Sequence, residues 1–147
     1  MPLERAAVAS ARRSTPRARV DRFVVFTLVD VHYGLDAQVV RHSLPASDAR
    51  GGVVRFVGSE YALIDLRRLF GLPPAESDGR LLLVGDPAGR RGALVVDALA
   101  DLAVVEETAV LPLPAVYRGR ERRWFRGVTR IDGRTVVVVS LEGLLDG

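Results

Sequence analysis

Turn signals recur so often along this chain that only short strands fit between them. From Phe23 onward, runs of Val, Leu, Ile and Phe are interrupted every few residues by Gly, Pro or Asp, the punctuation of small β-barrels rather than of helical bundles. Phe23–Val29 and Val31–Leu35 read as a hairpin around a polar turn at Asp30–His32. Ala37–Ser43 reads as a short helical turn and Leu44–Gly52 as a loop. Val53–Val57 and Glu60–Ile64 flank Gly58-Ser59, a two-residue turn. Leu66–Phe70 reads as a helix that Pro73-Pro74 cannot continue.

The rhythm then repeats. Arg80–Gly85 and Gly92–Val96 flank a Pro/Gly turn, and Ala98–Val105 is strand-like. Leu111–Val116 is broken by Pro. Trp124–Arg130 and Thr135–Ser140 flank Asp132-Gly133, a strong hairpin signal, and Leu141–Leu145 closes as a helix. Three strands and a helix thus occur twice, which predicts two small β-barrels packed face to face. Leu81–Val84 and Val136–Val139 show no polar alternation, so both are expected to be buried on both faces where the barrels share an apolar core.

Charge divides the chain unevenly. Every basic side chain other than the two His is Arg. Residues 1–22 hold six Arg against two acids, a net +4, and the rest holds 15 Arg against 16 acids, a net −1. The first 22 residues, rich in Ala, Arg, Ser and Pro, are expected to be a disordered tail ahead of one domain over 23–147. Clustered Arg there allows a weak nucleic-acid contact through phosphates. No apolar run approaches the roughly 18 residues of a membrane span, and Cys is absent, so thiolate chemistry is excluded.

The search for catalysis yields nothing. His32 and His42 have no Asp or Glu at metal-ligand spacing. Asp97 and Asp101 would share a helical face, and Asp65 ends a strand; all three read as caps and rim charges. No nucleophile elbow, Walker loop or dinucleotide fingerprint is present. Arg118–Arg126 interleaves Arg with Trp124 and Phe125. It reads as a loop tip running into a strand, with single-stranded nucleic acid as the competing ligand. No catalytic residue, metal or cofactor is expected, and the chain reads as a non-enzyme.

Four segments, taken in order, resemble the CheW-like family of chemosensory adaptor domains. They are Phe23-Val-Val-Phe-Thr-Leu with Tyr33-Gly-Leu-Asp36; Ile64-Asp-Leu-Arg-Arg-Leu-Phe-Gly71; Gly92-Ala-Leu-Val-Val-Asp-Ala-Leu99 with Val104-Val105; and Phe125-Arg-Gly-Val with Val136–Leu145. The resemblance implies a mainly β fold: two five-stranded SH3-like barrels around a shared apolar core, with short helices. It implies a non-catalytic, cytoplasmic array protein that binds a chemoreceptor (a methyl-accepting chemotaxis protein). A CheA-type histidine kinase, or another CheW-like protein, is the further partner. The contact residues carried over are Val39, Val40, Val57, Gly58 and Val105, expected in an apolar groove between the barrels.

This chain departs from the family pattern in the first barrel. Arg55-Phe-Val-Gly58 stands where Asn-Leu-Arg-Gly is usual, so Val57 replaces an Arg. Ala62 replaces a Pro, and the stretch from His42 to Val54 is short. These losses predict receptor binding with reduced or absent kinase docking, as in an accessory adaptor of the Frizzy motility type. An ordinary coupling protein and a nucleic-acid-binding barrel are the alternatives.

Overall fold

The computed structural model describes residues 20–48, 51–117, 119 and 121–146. Ten strands form two five-stranded antiparallel-rich sheets, each curled into a barrel. One barrel takes both ends of the domain: β1 (Val20–Leu28), β2 (Val31–Asp36), β8 (Ala98–Glu106), β9 (Phe125–Ile131) and β10 (Arg134–Val139), in the order β8-β1-β2-β10-β9. The other takes the middle: β3 (Val40–Pro45), β4 (Val53–Phe56), β5 (Ser59–Asp65), β6 (Arg80–Gly85) and β7 (Arg91–Val96), in the order β3-β6-β7-β5-β4. We call them the terminal and central barrels. Their strands are interleaved in the chain, so the doubled rhythm does not correspond to two successive barrels. Each barrel also contains one parallel pair, β2 with β10 and β5 with β7.

The terminal barrel closes where Leu111 and Val128 exchange backbone hydrogen bonds of 2.8 and 2.9 Å. Gly127 permits that approach, because a Cβ there would lie 2.2 Å from the Leu111 carbonyl oxygen. The central barrel closes through side chains: His42 on β3 packs against Phe56 on β4 with ring centroids 4.3 Å apart. His42 is thus an aromatic wedge between the two end strands.

Three cores follow from the side-chain alternation. Phe23, Val25, Ala103, Val105, Val136 and Val138 fill the terminal barrel. Val54, Tyr61, Leu81, Leu83 and Ala93 fill the central one. The opposite faces of the same strands, including Phe26, Leu28, Leu82, Val84, Leu94, Val137 and Val139, meet between the barrels. This is why Leu81–Val84 and Val136–Val139 carry no polar residue: each strand supplies one side chain to a barrel and the next to the shared core. Phe70 reaches across into an aromatic group, 5.0 Å from Trp124, 5.2 Å from Phe125 and 5.8 Å from Tyr33.

Three short helices seal the junction: α1 (Leu66–Leu69), α2 (Glu121–Trp124) and α3 (Leu141–Asp146). Gly143 lets α3 lie against α2, since a Cβ there would meet the Arg123 carbonyl oxygen at 1.7 Å.

Several local expectations shift. Residues 1–19 of the expected tail lie outside the described residues, and Val20–Arg22 belong to β1, paired with Glu106–Val104 of β8. Only Ala37–Val39 form a helical turn, and Val40–Ser43 run on as β3. The β1–β2 turn is Val29-Asp30 and the β4–β5 turn is Val57-Gly58, one residue before the Gly58-Ser59 expected; all four residues have positive φ. Asp97 and Asp101 lie in extended chain rather than on a helix. Arg118–Arg126 is not simply a loop tip, because α2 occupies Glu121–Trp124.

Burial on both faces gives a direct test on β6. Leu82→Ala and Leu83→Ala should each cost roughly 2–5 kcal/mol in chemical denaturation, although neighbours on an ordinary surface strand would alternate between costly and neutral. A cost below about 0.5 kcal/mol at either position would mean that one face of β6 is not buried.

Candidate functional site

Two short motifs meet at the junction. The chain passes from the central to the terminal barrel in one residue, Asp97, between Val96 of β7 and Ala98 of β8. Arg67, in the first turn of α1, donates Nε to Asp97 Oδ1 at 2.8 Å and Nη2 to Oδ2 at 2.6 Å. Its Nη1 donates to the Pro73 carbonyl at 2.8 Å, holding the loop after α1. Asp97 also accepts from the Val29 backbone N–H at 2.8 Å, and its own N–H donates to the Thr27 carbonyl at 3.0 Å. The pair therefore ties α1, the crossover and the β1–β2 turn together.

A two-pronged Arg–carboxylate pair is among the stronger charged contacts. The Arg67 hydrogen bond holds the Asp97 carboxyl below the usual range, with the Val29 N–H helping and desolvation opposing. A second link lies at the far end of the central barrel. Arg90 donates Nε to Asp86 at 2.7 Å and also pairs with Asp146 of α3. Asp86 is held low in the same way, first by its side-chain hydrogen bond with Arg90. Asp65 caps α1, accepting from the Arg68 backbone N–H at 3.4 Å. The carboxylates at 65, 86 and 97 are thus structural fixtures.

The expected contact residues occupy three separate places. Val39, ending the helical turn, and Val40, beginning β3, are half-buried and pack against the inter-barrel core. Val57 and Gly58 form the tip of the β4–β5 hairpin, where Val57 is 84% exposed. Val105 faces into the terminal barrel and is buried with Phe23 and Val136. It does not line a groove; its exposed neighbours Leu102 and Val104 present the outer face of β8.

Val57 shares an unusual conformation with Val29 of the β1–β2 turn, both at a φ of +48°. With Gly58 at +77°, Val57 sits in a turn that favours Asn-Gly or Asp-Gly. A β-branched residue there is strained, by an amount of order 1–3 kcal/mol. Val57 belongs to none of the three cores and is the more exposed of the two, at 84% against 41% for Val29.

Arg118 and Arg120 lie outside the described residues, and the rest of the segment to Arg126 does not favour the competing reading of a stacking platform. Trp124 and Phe125 are buried, both belonging to the inter-barrel core. Arg122, Arg123 and Arg126 are exposed, but no aromatic face accompanies them. Among the described residues no three His, Asp or Glu converge to hold a metal ion, and no helix is long and apolar enough to cross a membrane.

Sequence comparison now bears on this architecture. The model of the CheW-like domain matches residues 22–147. The chain belongs to the CheW-like domain family. A "Probable chemotaxis protein CheW" of Rhizobium etli is 31% identical over 94 residues, covering 63% of this chain and 61% of that protein. The "Chemotaxis protein CheW" of Rhizobium meliloti is 30% identical over a span of the same size and coverage. The matched span is thus about three fifths of these relatives' length. Among solved structures, the scaffolding protein TtCheW of Thermoanaerobacter tengcongensis superposes with a TM-score of 0.72 at 23% identity, over 86% of this chain and 92% of that one. That likeness establishes the CheW-like fold. Arg67 and Asp97 come from two of the segments that carried the resemblance, so separated motifs meet in one physical link.

The depressed carboxyls fix the sign of an acid response. Their stabilisation is fully present above the unfolded Asp pKa of about 4 and is lost as pH falls through their lower folded values. The melting temperature should therefore hold steady down to about pH 5 and fall below about pH 4. Asp97→Asn should lower it at neutral pH and flatten part of the acid fall in a calorimetric pH series. An unchanged acid limb in that variant would remove Asp97 as a contributor.

Proposed function

We propose that this protein is a non-catalytic adaptor of a bacterial chemosensory array, cytoplasmic, binding the tip of a chemoreceptor and docking a CheA-type kinase weakly or not at all. The observation that carries the reading is Val57. Within a CheW-like domain, an exposed branched apolar side chain is held in a strained turn where the family usually has Arg. Apolar contact of this kind suits a receptor helix, since a few well-placed residues carry much of the energy of an interface. The same substitution removes a planar multi-donor group that Val cannot replace. The stretch from His42 to Val54, shorter than the family pattern, leaves less of the first barrel for a kinase contact.

Gly58 completes the turn, and Val39 and Val40 form a second, separate proposed contact where the helical turn runs into β3. Val105, buried inside the terminal barrel, is not part of the proposed surface.

Calorimetric titration with the receptor tip and with the kinase regulatory domain of the same bacterium tests both halves. Val57→Glu should weaken receptor binding at least about tenfold, since its charge would be desolvated without a partner, and leave the melting temperature unchanged. Val57→Asn, better suited to the turn, should melt slightly higher and also bind less well. Unaltered receptor binding in both variants would exclude Val57. Micromolar binding of the kinase domain, with kinase activation in the absence of another coupling protein, would restore the ordinary coupling role.

A further inference from the structure

The terminal barrel has a charged mouth. Its filling is apolar, with Val25 from β1, Ala103 and Val105 from β8, and Val136 and Val138 from β10. At one end the same inward alternation turns polar. The next inward positions are Asp101 on β8 and Arg134 on β10, while His32 on β2 stands opposite Val136. With Asp132 of the β9–β10 turn they ring an open pocket of about 320 Å³, floored by Val25, Ile131 and Val136. Arg134 donates Nη1 to His32 Nε2 at 2.9 Å, which holds the guanidinium at the rim and occupies the imidazole's acceptor. Among the described residues no carboxylate pairs with Arg134, and no cation pairs with Asp101 or Asp132. Asp101 accepts from the Leu102 N–H through Oδ1 at 2.7 Å, which leaves Oδ2 for another donor. A β-bulge at Ala100, where the pairing steps from Val25–Asp101 to Phe26–Leu99, sets Asp101 at this rim. Bulges re-aim side chains beside functional sites.

We infer that this mouth binds a small zwitterion, with an ammonium and a carboxylate at opposite ends of a short apolar chain. Barrel mouths are common ligand sites, and an apolar floor with a few convergent polar groups is their usual lining. Arg134 takes the carboxylate, Asp101 and Asp132 take the ammonium, and the chain lies over Val25 and Val136. Asp101 and His32 stand on the two strands flanking β1, so their backbones are about 10 Å apart. That span suits charges held apart rather than on one carbon. A simple anion would meet two carboxylates, and a simple cation would meet Arg134. A wholly apolar molecule would desolvate all three charges without partners. A divalent cation is disfavoured, because His32 Nε2 is occupied and no three ligating side chains converge among the described residues.

The pocket shares no residue with the contact surface around Val57, so the two proposals can fail separately. The full-length ¹⁵N-labelled protein would be titrated with 4-aminobutanoate, 5-aminopentanoate and 6-aminohexanoate, and with pentanoate and pentylamine as one-ended analogues. At least one zwitterion should shift the amide resonances of Val25, Ala100 and Val136, and bind at least about tenfold more tightly than either analogue. Arg134→Gln should abolish its advantage over pentylamine. Asp101→Asn/Asp132→Asn should abolish its advantage over pentanoate; Asn tolerates the positive φ of residue 132. The rest of each variant's spectrum reports whether the fold is kept. Equal binding of zwitterions and one-ended analogues, undiminished binding in both variants, shifts confined to other surfaces, or no shift up to about 10 mM would each overturn the inference.

Discussion

The Arg67–Asp97 pair sets the relation between the barrels. The chain crosses between the barrels twice, over the turn Ala37–Val39 and at Asp97, and at Asp97 no linker intervenes, so rotation of one barrel on the other is resisted at that residue. Its carboxylate is held by a guanidinium from α1 and a backbone N–H from the β1–β2 turn, and its own N–H is bonded to Thr27. These contacts come from both sides of the joint. The shared apolar core supplies most of the burial, but apolar contact is non-directional. The ion pair adds direction, with two parallel bonds whose geometry tolerates little rotation.

The joint fixes where the proposed contact hairpin, β4–β5 of the central barrel, stands relative to the terminal barrel. An adaptor works by offering several contacts in fixed relative positions, so a rigid joint matters more to it than a reactive centre. The carboxylates that might have suggested chemistry hold the fold instead. Asp65 caps α1, Asp86 is held by Arg90, and Asp97 is the joint itself.

Much of the fold was legible in the sequence because turn chemistry and burial on two faces leave plain marks. Asp132-Gly133 formed the hairpin its composition predicts, and the polar-free runs at Leu81–Val84 and Val136–Val139 lie where two cores meet. Other features were hidden for physical reasons. Val57-Gly58 escaped notice because Val is a poor residue at positive φ, so the turn rule pointed one residue downstream. The interleaving of the barrels is set by the parallel pairs β2–β10 and β5–β7, which no local pattern records. Val105 looked like a contact residue beside exposed Val104, but alternation turns one inward and the other out. The link from Arg67 to Asp97 joins residues 30 apart and becomes visible only once the chain is folded.

The central claim is that Arg67 and Asp97 act as one unit. A double-mutant cycle on the melting temperature tests it, using Arg67→Ala, Asp97→Ala and the double variant at neutral pH. If the pair is a unit, the double variant melts no lower than the worse single variant, because the second substitution removes a partner already lost. Losses that simply add would show that the two side chains stabilise the fold independently and that the joint is held by the apolar core alone.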